Sequence, residues 1–400
     1  MISLCGRDCC RCAMHGEICA GCSLCEAAIC TKNCGKCYAM CFNRPTTAAY
    51  INHIGGPEIE LQPNKRINIP VHIPVLPDRF KKMPSYELLP VVGIHGENAF
   101  SRNGEKVRKI YEERGFYGAL NVDERTQGVL EFYIKDRTLE GFWDKRKSIY
   151  PAIKNLNLTA VITPNFSVYE DAPRVDHIYN IKRSSIVYNE MLNADIPVIP
   201  DVSWFDKNDL DRWCEEINLK DIKIISFGFQ AVGVGMKTSN VWRTALSGFR
   251  YLCQNIMPDT EIIIAGLVSP FRIVEVYRAA SGRKLHILNQ SAYVQSRRGM
   301  LSETRMQERY LSFDALFSKN ILYFNSIYEE MDSNFQHDAD SNLFNTILTW
   351  DKHRIQEFYY DYTSQNDHLT EKYGIDKEKL DLAFSIINRQ IRKKKIKLQF

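Results

Sequence analysis

The sequence predicts an α/β protein: a (β/α)8-type barrel, preceded by an N-terminal cysteine-rich metal-binding module and followed by a helical C-terminal extension. Short β-rich apolar runs alternate with helical patterns from Leu89 onward, which is typical of parallel β-α-β units. There are eight such runs, the number of strands that closes a barrel. An open doubly wound sheet fits the same alternation, because spacing along the chain does not show whether a sheet closes.

Composition divides the chain of 400 residues into four predicted segments. They are a cysteine-rich metal module (1–43), a proline-rich connector (44–85), the β/α barrel (86–326) and a helical extension with a basic tail (327–400). The connector contains IPVHIPVLPDRFKKMP, and proline at this density favours extended surface chain over helix.

The predicted barrel strands are β-rich runs separated by amphipathic stretches such as 174–193 and 241–255. A further run, VLEFYI (129–134), is predicted to be a hairpin partner of the second strand. The eight predicted strands are residues 89–94, 118–122, 158–163, 196–200, 222–227, 261–266, 284–288 and 320–324.

The amino-terminal segment is crowded with thiols, since eleven of the thirteen cysteines lie in the first 41 residues. So short a segment cannot build a core from thiols, so disulfides or metal must hold it together. The start, MISLCGRDCC, lacks the basic stretch and apolar run of a secreted chain. We therefore predict a cytoplasmic protein, in which closely spaced cysteines bind metal. The predicted ligands are Cys5, Cys9, Cys12, Cys19, Cys22, Cys25, Cys30, Cys34, Cys37 and Cys41.

The cysteine spacings favour an iron–sulfur cluster, with zinc as the alternative. C-x2-C-x2-C (Cys19, Cys22 and Cys25), with a C-x3-C-x2-C group on each side, is typical of iron–sulfur sites and favours [4Fe–4S]. Structural zinc more often joins two C-x2-C knuckles through a longer loop. The opening C-G-x-x-C-x-x-C, followed by Cys19-Ala-Gly-Cys22, also resembles small uncharacterised cysteine-rich bacterial domains. That resemblance implies metal binding and no known reaction.

Polar side chains follow the predicted strands, where barrel enzymes bind their ligands. Asp123, Asp201 and Asn165 are the predicted catalytic residues, because carboxylates and amides at strand ends can serve acid–base chemistry. Alternatively, such residues only cap the helices that follow. The other strand-end candidates are His95, Asn121, Ser167, Ser203, Trp204, Gln230, Asn289, Gln290 and Asn325.

The turn after the fifth predicted strand, GFQAVGVGMKTSN (228–240), suggests a phosphate site. Glycines let backbone amides approach an anion at a helix start, so Gly233, Gly235 and Lys237 are the predicted contacts. The turn is not a P-loop, because Met236 separates the last glycine from the lysine.

Residues from about 160 to 270 resemble an uncharacterised family encoded mostly by phages, plasmids and integrative elements. The shared features are an N-F-S-x-Y turn, a Y-N-x-x-R helix, a V-I-P-x-V-x-W strand end and several glycines. The resemblance implies mobile-element biology but no reaction. The matching residues are Asn165, Phe166, Ser167, Tyr169, Pro173, Tyr179, Asn180, Arg183, Pro200, Trp204, Gly228, Gly248, Pro258 and Gly266.

Three functions remain open from the sequence. The first is an enzyme of unspecified reaction class that carries a metal cluster and acts on a nucleotide or nucleic acid. The second is a zinc-stabilised nucleic-acid-binding module without catalysis, in which the basic tail (RQIRKKKIKLQF) contacts phosphates. The third is an iron–sulfur redox sensor. A membrane partner is not expected, because no segment approaches about 18 uninterrupted apolar residues.

Overall fold

The computed structural model describes the barrel and parts of the C-terminal extension. The described residues are 55–62, 67–169, 174–230, 240–280, 282–304, 306–308, 310–336, 352–364, 368–373, 375, 380 and 384. The predicted cysteine module, the loop segment 231–239 and the basic tail lie outside these ranges.

Eight parallel strands form one sheet in which consecutive strands pair with each other, except β5 and β6, and β1 also pairs with β8. A parallel bridge between Asp201 and Ser226 joins the two remaining edges, so the sheet is a nearly closed barrel. The predicted α/β barrel is thereby confirmed. The strands are β1 (His72–Leu76), β2 (Val91–His95), β3 (Gln127–Glu131), β4 (Ala160–Ile162), β5 (Val198–Ile199), β6 (Ile224–Gly228), β7 (Glu261–Ala265) and β8 (Leu285–Asn289).

Helices follow every strand except β1 within the described residues. They are α1 (Gly96–Ala99), α2 (Lys109–Leu120), α3 (Asp136–Asn155), α4 (Arg174–Asn193), α5 (Lys207–Leu219), α6 (Asn240–Asn255), α7 (Pro270–Ala280), α8 (Ser291–Arg297), α9 (Phe313–Gln336), α10 (Lys352–Thr363) and α11 (Leu369–Tyr373). None of the helices in the described part of the chain combines the length and apolarity needed to cross a bilayer.

The long helix α9 covers the strand that lacks a helix of its own. His72 in β1 is hydrogen-bonded through Nδ1 to Asn325 Oδ1 at 2.7 Å, and its ring lies 5.0 Å from the ring of Tyr328. Farther along the helix, Phe317 packs against Phe80 with ring centroids 5.0 Å apart. Helix α9 therefore completes the outer layer over β1.

Two of the eight predicted strands are wrong. Residues 118–120 of the predicted strand 118–122 end α2, and residues 320–324 lie inside α9. In α9 the buried residues Phe317, Ile321, Phe324 and Tyr328 recur every three to four positions, which is helical spacing. The short apolar run within that repeat had the composition of a strand but the period of a helix.

Two barrel strands, β1 and β3, lie in segments that were not predicted to be barrel strands. Residues 129–131 belong to β3, a parallel strand between β2 and β4, so the predicted hairpin is wrong. β1 lies in the predicted connector, and the barrel therefore begins before residue 86. Ile73 and Val75 alternate into the barrel interior, which outweighs the unfavourable Pro74 between them.

Candidate active site

A histidine and a glutamate face each other at the carboxyl ends of adjacent strands. His95 ends β2, Glu131 ends β3, and the two residues are direct partners in the strand register. His95 Nδ1 is hydrogen-bonded to Glu131 Oε1. Glu131 is buried, whereas 19% of the His95 side chain is exposed. Among the described residues Nε2 has no hydrogen-bond partner, so this nitrogen is available to a ligand.

The glutamate changes the acidity of the histidine. Burial by itself lowers the pKa of His95, but the hydrogen bond and negative charge of Glu131, together with Glu97, outweigh burial and raise that pKa above its ordinary value of 6.5. The positive charge of Lys135 opposes the increase. The imidazole can thus take up a proton near neutral pH, as a general acid or base requires.

A second polar network surrounds a fully buried carboxylate at the end of β5. The Tyr133 hydroxyl donates to Asp201 Oδ1 at 2.5 Å, and Asn165 Nδ2 donates to Asp201 Oδ2 at 2.5 Å. The Asp201 amide donates to Thr163 Oγ1 at 2.8 Å. Because both carboxylate oxygens are occupied by protein groups and Asp201 is 0% exposed, Asp201 positions its neighbours and does not face a ligand.

The Asp201 network contains two perturbed acids. Burial raises the pKa of Asp201 from 3.8 to about 6, although hydrogen bonds from Tyr133, Asn165 and Ser226 act in the opposite direction. Burial, reinforced by the neighbouring Asp201 carboxylate, raises the pKa of Tyr133 well above its usual range. The tyrosine therefore stays protonated and donates its hydroxyl hydrogen.

Tyr133 joins the two networks. Its backbone amide donates to Glu131 Oε2 at 2.6 Å, while its hydroxyl lies 2.5 Å from Asp201 and 2.6 Å from Ser226 Oγ. The ring fits because residue 228 is glycine: a Cβ there would lie 3.0 Å from the Tyr133 ring. The orientation of Glu131, and through it of His95, is thus connected to the buried carboxylate.

The N-F-S-x-Y turn after β4 forms one rim of this site. Asn165 reaches down to Asp201, while Ser167 Oγ donates to Asp136 Oδ1 at 2.6 Å. The Tyr169 hydroxyl is hydrogen-bonded to the other oxygen of Asp136. Phe166 between them is buried. Each motif residue therefore has a contact that fixes the turn above Asp201.

The Y-N-x-x-R motif in α4 holds this turn from behind. Asn180 Nδ2 donates to the Ser167 carbonyl at 2.7 Å. The Arg183 guanidinium lies 3.8 Å from the centre of the Phe166 ring and makes paired bonds of 2.9 and 2.7 Å to the Glu140 carboxylate. The two motifs are thus one packed unit.

Two of the three predicted catalytic residues come together. Asn165 contacts Asp201, but Asp123 lies in the loop that precedes β3, at the opposite end of the barrel. Its carboxylate pairs with Arg125 at 2.9 Å, and that hydrogen bond lowers the pKa of Asp123 to about 2. The expectation that Asp123 follows a strand was wrong because residues 118–120 are helical.

The remaining strand-end candidates have mixed positions. Trp204 packs on α6, where a Cβ at Gly248 would lie 2.3 Å from its ring. Asn289 ends β8 and donates to the Leu267 carbonyl at 3.2 Å. Asn121 follows a helix, and Asn325 lies within one. The predicted phosphate contacts Gly233, Gly235 and Lys237, and all ten predicted cysteine ligands, lie outside the described residues.

Sequence reasoning missed Glu131, Tyr133 and Ser226 as members of this site. The available signal was the alternation of residues 129, 131 and 133, which places Val129, Glu131 and Tyr133 on one face of a strand. Because residues 129–134 were predicted to be a hairpin arm, their side chains were not expected to face the barrel interior. In the part of the chain that the structure describes, no three His, Cys, Asp or Glu side chains form a group suited to a metal ion.

Comparison with known proteins identifies a matching domain in the middle of the chain. Residues 115–274 match the family model of a domain of unknown function, DUF4417. This range contains Glu131, Tyr133, Asn165 and Asp201, whereas His95 precedes it.

Two curated relatives are phage proteins. The Gene 1 protein of Mycobacterium phage L5 is 24% identical over 134 residues, which is 34% of this chain and 54% of the phage protein. The Gene 1 protein of Mycobacterium phage D29 is 29% identical over 77 residues, 19% of this chain and 28% of the phage protein. The match thus spans about half or less of each relative. This chain is therefore similar to a domain of unknown function over residues 115–274, and parts of it are similar to the two phage proteins.

Proposed function

We propose that this protein is an enzyme that performs general acid–base chemistry at the carboxyl end of its barrel, with His95 as the proton-transferring group. The supporting observation is the His95–Glu131 pair, in which Nδ1 is held by a buried carboxylate and Nε2 is left for a substrate. A carboxylate bound to one ring nitrogen selects the tautomer and stabilises the imidazolium. The position at the strand ends is where barrel enzymes carry their chemistry.

Asn165 is the second substrate-facing group of the proposed site. One amide hydrogen is committed to Asp201, which leaves the carbonyl oxygen and the other hydrogen for a polar ligand. Asp201 and Tyr133 are positioning residues, because both are buried and direct their polar atoms at other protein groups.

The proposed substrate is a nucleotide or nucleic acid. Support comes from the glycine-rich sequence that follows β6, which carries Lys237 next to two hydroxyl residues; β6 itself ends at the same end of the barrel as His95.

The cysteine-rich segment is proposed to bind an iron–sulfur cluster, with zinc as the alternative. Its support is the spacing of the ten predicted ligands. Metal analysis and a visible spectrum of anaerobically purified full-length protein test this assignment. Protein free of both iron and zinc would contradict it.

The catalytic proposal is tested by product analysis. Full-length protein is incubated with nucleoside mono-, di- and triphosphates and with single-stranded and duplex oligonucleotides, and products are identified by mass spectrometry. His95→Gln should lower turnover by about 100-fold or more, the usual contribution of a general acid or base. Asp123→Asn, a carboxylate at the other end of the barrel, is the matched control and should retain turnover.

Two outcomes would count against an enzyme. If His95→Gln converts substrate as fast as the wild type, His95 does not transfer the proton. If no product forms while oligonucleotides bind with strong salt dependence, the chain is a nucleic-acid-binding module instead.

A further inference from the structure

Residues 55–62, which we call the strap, lie against helix α4. The Gly56 amide donates to the Ile178 carbonyl at 2.9 Å. Farther along, Asn189 forms a pair of bonds of 3.0 Å each, one from the Glu60 amide and one to the Glu58 carbonyl. The strap therefore follows the helix from one end toward the other.

Helix α5 holds the other side of the strap. The Ile59 amide donates to Glu216 Oε2 at 2.7 Å, and Lys220 Nζ donates to the Glu60 carbonyl at 3.2 Å. The Ile59 side chain is buried, and Arg212 is hydrogen-bonded to the Gly55 carbonyl. The strap thus occupies the groove between α4 and α5, with six of its backbone polar groups hydrogen-bonded to these helices or to Lys220 just after α5.

The two glycines at the start of the strap are required by this fit. A Cβ at Gly55 would lie 2.8 Å from Ile178 Cβ. Gly56 has φ +76°, and its Cβ would meet the Arg212 guanidinium at 2.6 Å. The path of the strap is therefore specified by the sequence.

The start of the strap lies toward the active-site end of the barrel. Helix α4 begins at that end, because it follows β4, and it terminates at the opposite end before β5. Ile178 is near its start and Asn189 near its finish, eleven residues or about 17 Å apart. The strap runs from the active-site end toward the opposite end, where β1 begins. Its first residues therefore lie about 17 Å closer to the end of the barrel that carries His95 than its contacts with Asn189 do.

Two exposed tyrosines lie where the strap begins. Tyr169, in the turn after β4, is 55% exposed, and Tyr179, adjacent to Ile178, is 51% exposed. Of the other motif residues, Phe166 and Arg183 are buried, while Asn165, Ser167 and Asn180 are half-buried. Tyrosine combines a large apolar ring with a polar tip, so two such exposed side chains at the start of the strap suit contact with another segment.

We propose that this rim, formed by Tyr169 and Tyr179, is the docking surface for the cysteine-rich residues 1–41 of the same chain. The described chain starts at Gly55, against Ile178 and beside Tyr179. The linking residues 42–54 can span at most about 45 Å, which keeps the segment within reach of the rim. The docked segment places its thiols at the end of the barrel that carries His95.

Site-specific photo-crosslinking tests the docking independently of any activity. In full-length protein, p-benzoylphenylalanine replaces Tyr179, and the irradiated protein is digested and analysed by mass spectrometry. The expected product joins position 179 to a peptide from residues 1–41. The same photo-crosslinker at Leu219, which is 72% exposed at the opposite end of α5, is the control and should give no such product.

Mixing 14N- and 15N-labelled protein before irradiation separates contacts within one chain from contacts between chains. Products in which both labels occur at similar yield would overturn the proposal in favour of a second copy as the occupant. Equal yields from positions 179 and 219, no peptide from residues 1–41, or crosslinks to added oligonucleotide alone would also overturn it.

Discussion

Replacing Asp201 should change how the stability of this protein depends on pH. Burial raises the pKa of Asp201 to about 6, from an ordinary value of 3.8. Between these values the folded protein keeps a proton that the unfolded chain releases. The contribution of Asp201 to the free energy of unfolding is therefore largest below pH 3.8 and falls as the pH rises through about 6. Asp201→Asn, which cannot ionise, removes this contribution.

The size of the effect follows from the two pKa values. A separation of about two pH units corresponds to roughly 3 kcal/mol, since each unit is worth about 1.4 kcal/mol. Relative to Asp201→Asn, the wild type should lose roughly 2 kcal/mol of unfolding free energy between pH 4 and pH 7, because part of the titration of the unfolded chain lies below pH 4. The difference between the two proteins is the informative quantity.

Wild-type data alone would hide this loss because a histidine acts in the opposite direction. Burial lowers the pKa of His72 to about 4 from 6.5, so the unfolded chain binds the extra proton in that interval. Stability gained at His72 as the pH rises offsets stability lost at Asp201. Subtracting the Asp201→Asn curve cancels the His72 contribution, because both proteins contain it.

The assay is urea unfolding followed by tryptophan fluorescence at pH values from 4 to 7. Asp123→Asn is the control: the Arg125 hydrogen bond lowers the pKa of Asp123 to about 2, so its titration falls below this range. The control difference should stay flat. A flat difference for Asp201→Asn as well would show that this carboxyl ionises normally, and the account of the buried network would fail.

Three further results are expected. Arg283 is buried and donates to the carbonyls at the end of α6, at 2.6 Å to Cys253 and 2.7 Å to Ile256. Arg283→Met should therefore lower the free energy of unfolding in urea by about 3 kcal/mol, whereas the same change at the exposed Arg297 should lower it by less than about 0.5 kcal/mol. Similar losses for the two variants would refute this account. Glu131→Gln should lower the pKa of His95 in an NMR titration, because a negative charge and a charged hydrogen bond are lost; an unchanged pKa would contradict the dyad. Gly248→Ala should destabilise the protein by roughly 1–2 kcal/mol despite the better helix propensity of alanine, because its Cβ would lie 2.3 Å from an indole ring; a stabilised variant would contradict that packing.

The parallel α/β class of the fold could be predicted from the sequence because its evidence is spread over much of the chain. Alternation of apolar runs with amphipathic stretches determines the class of fold. Two runs wrongly predicted to be strands were balanced by two barrel strands that were missed, so the number of strands stayed at eight. The predicted strands at 118–122 and 320–324 are helical, while β1 and β3 come from the predicted connector and hairpin. Local composition could not distinguish them, since a short apolar run fits either a strand or the buried face of a helix.

The active site was predictable only in part. Asp201 and Asn165 were found because they follow true strands, and Asp123 was misplaced because it follows a helix. Predicting that Glu131 belongs to the site would have required knowing that β3 lies beside β2, with His95 as the register partner of Glu131. Residues 36 positions apart become neighbours through strand pairing, which no local pattern records.

The sequence by itself determined that this chain builds a parallel α/β fold with polar groups at its strand ends, because side-chain periodicity is a local property of each segment; closure of the sheet into a barrel was decided by the pairing of β1 with β8 and the bridge between Asp201 and Ser226. Only the tertiary structure decided which of those groups share a site and which carry a shifted pKa. Register brought His95 to Glu131, and burial raised the pKa of Asp201. Both effects depend on neighbours that lie far away in sequence, since desolvation and charge act through space.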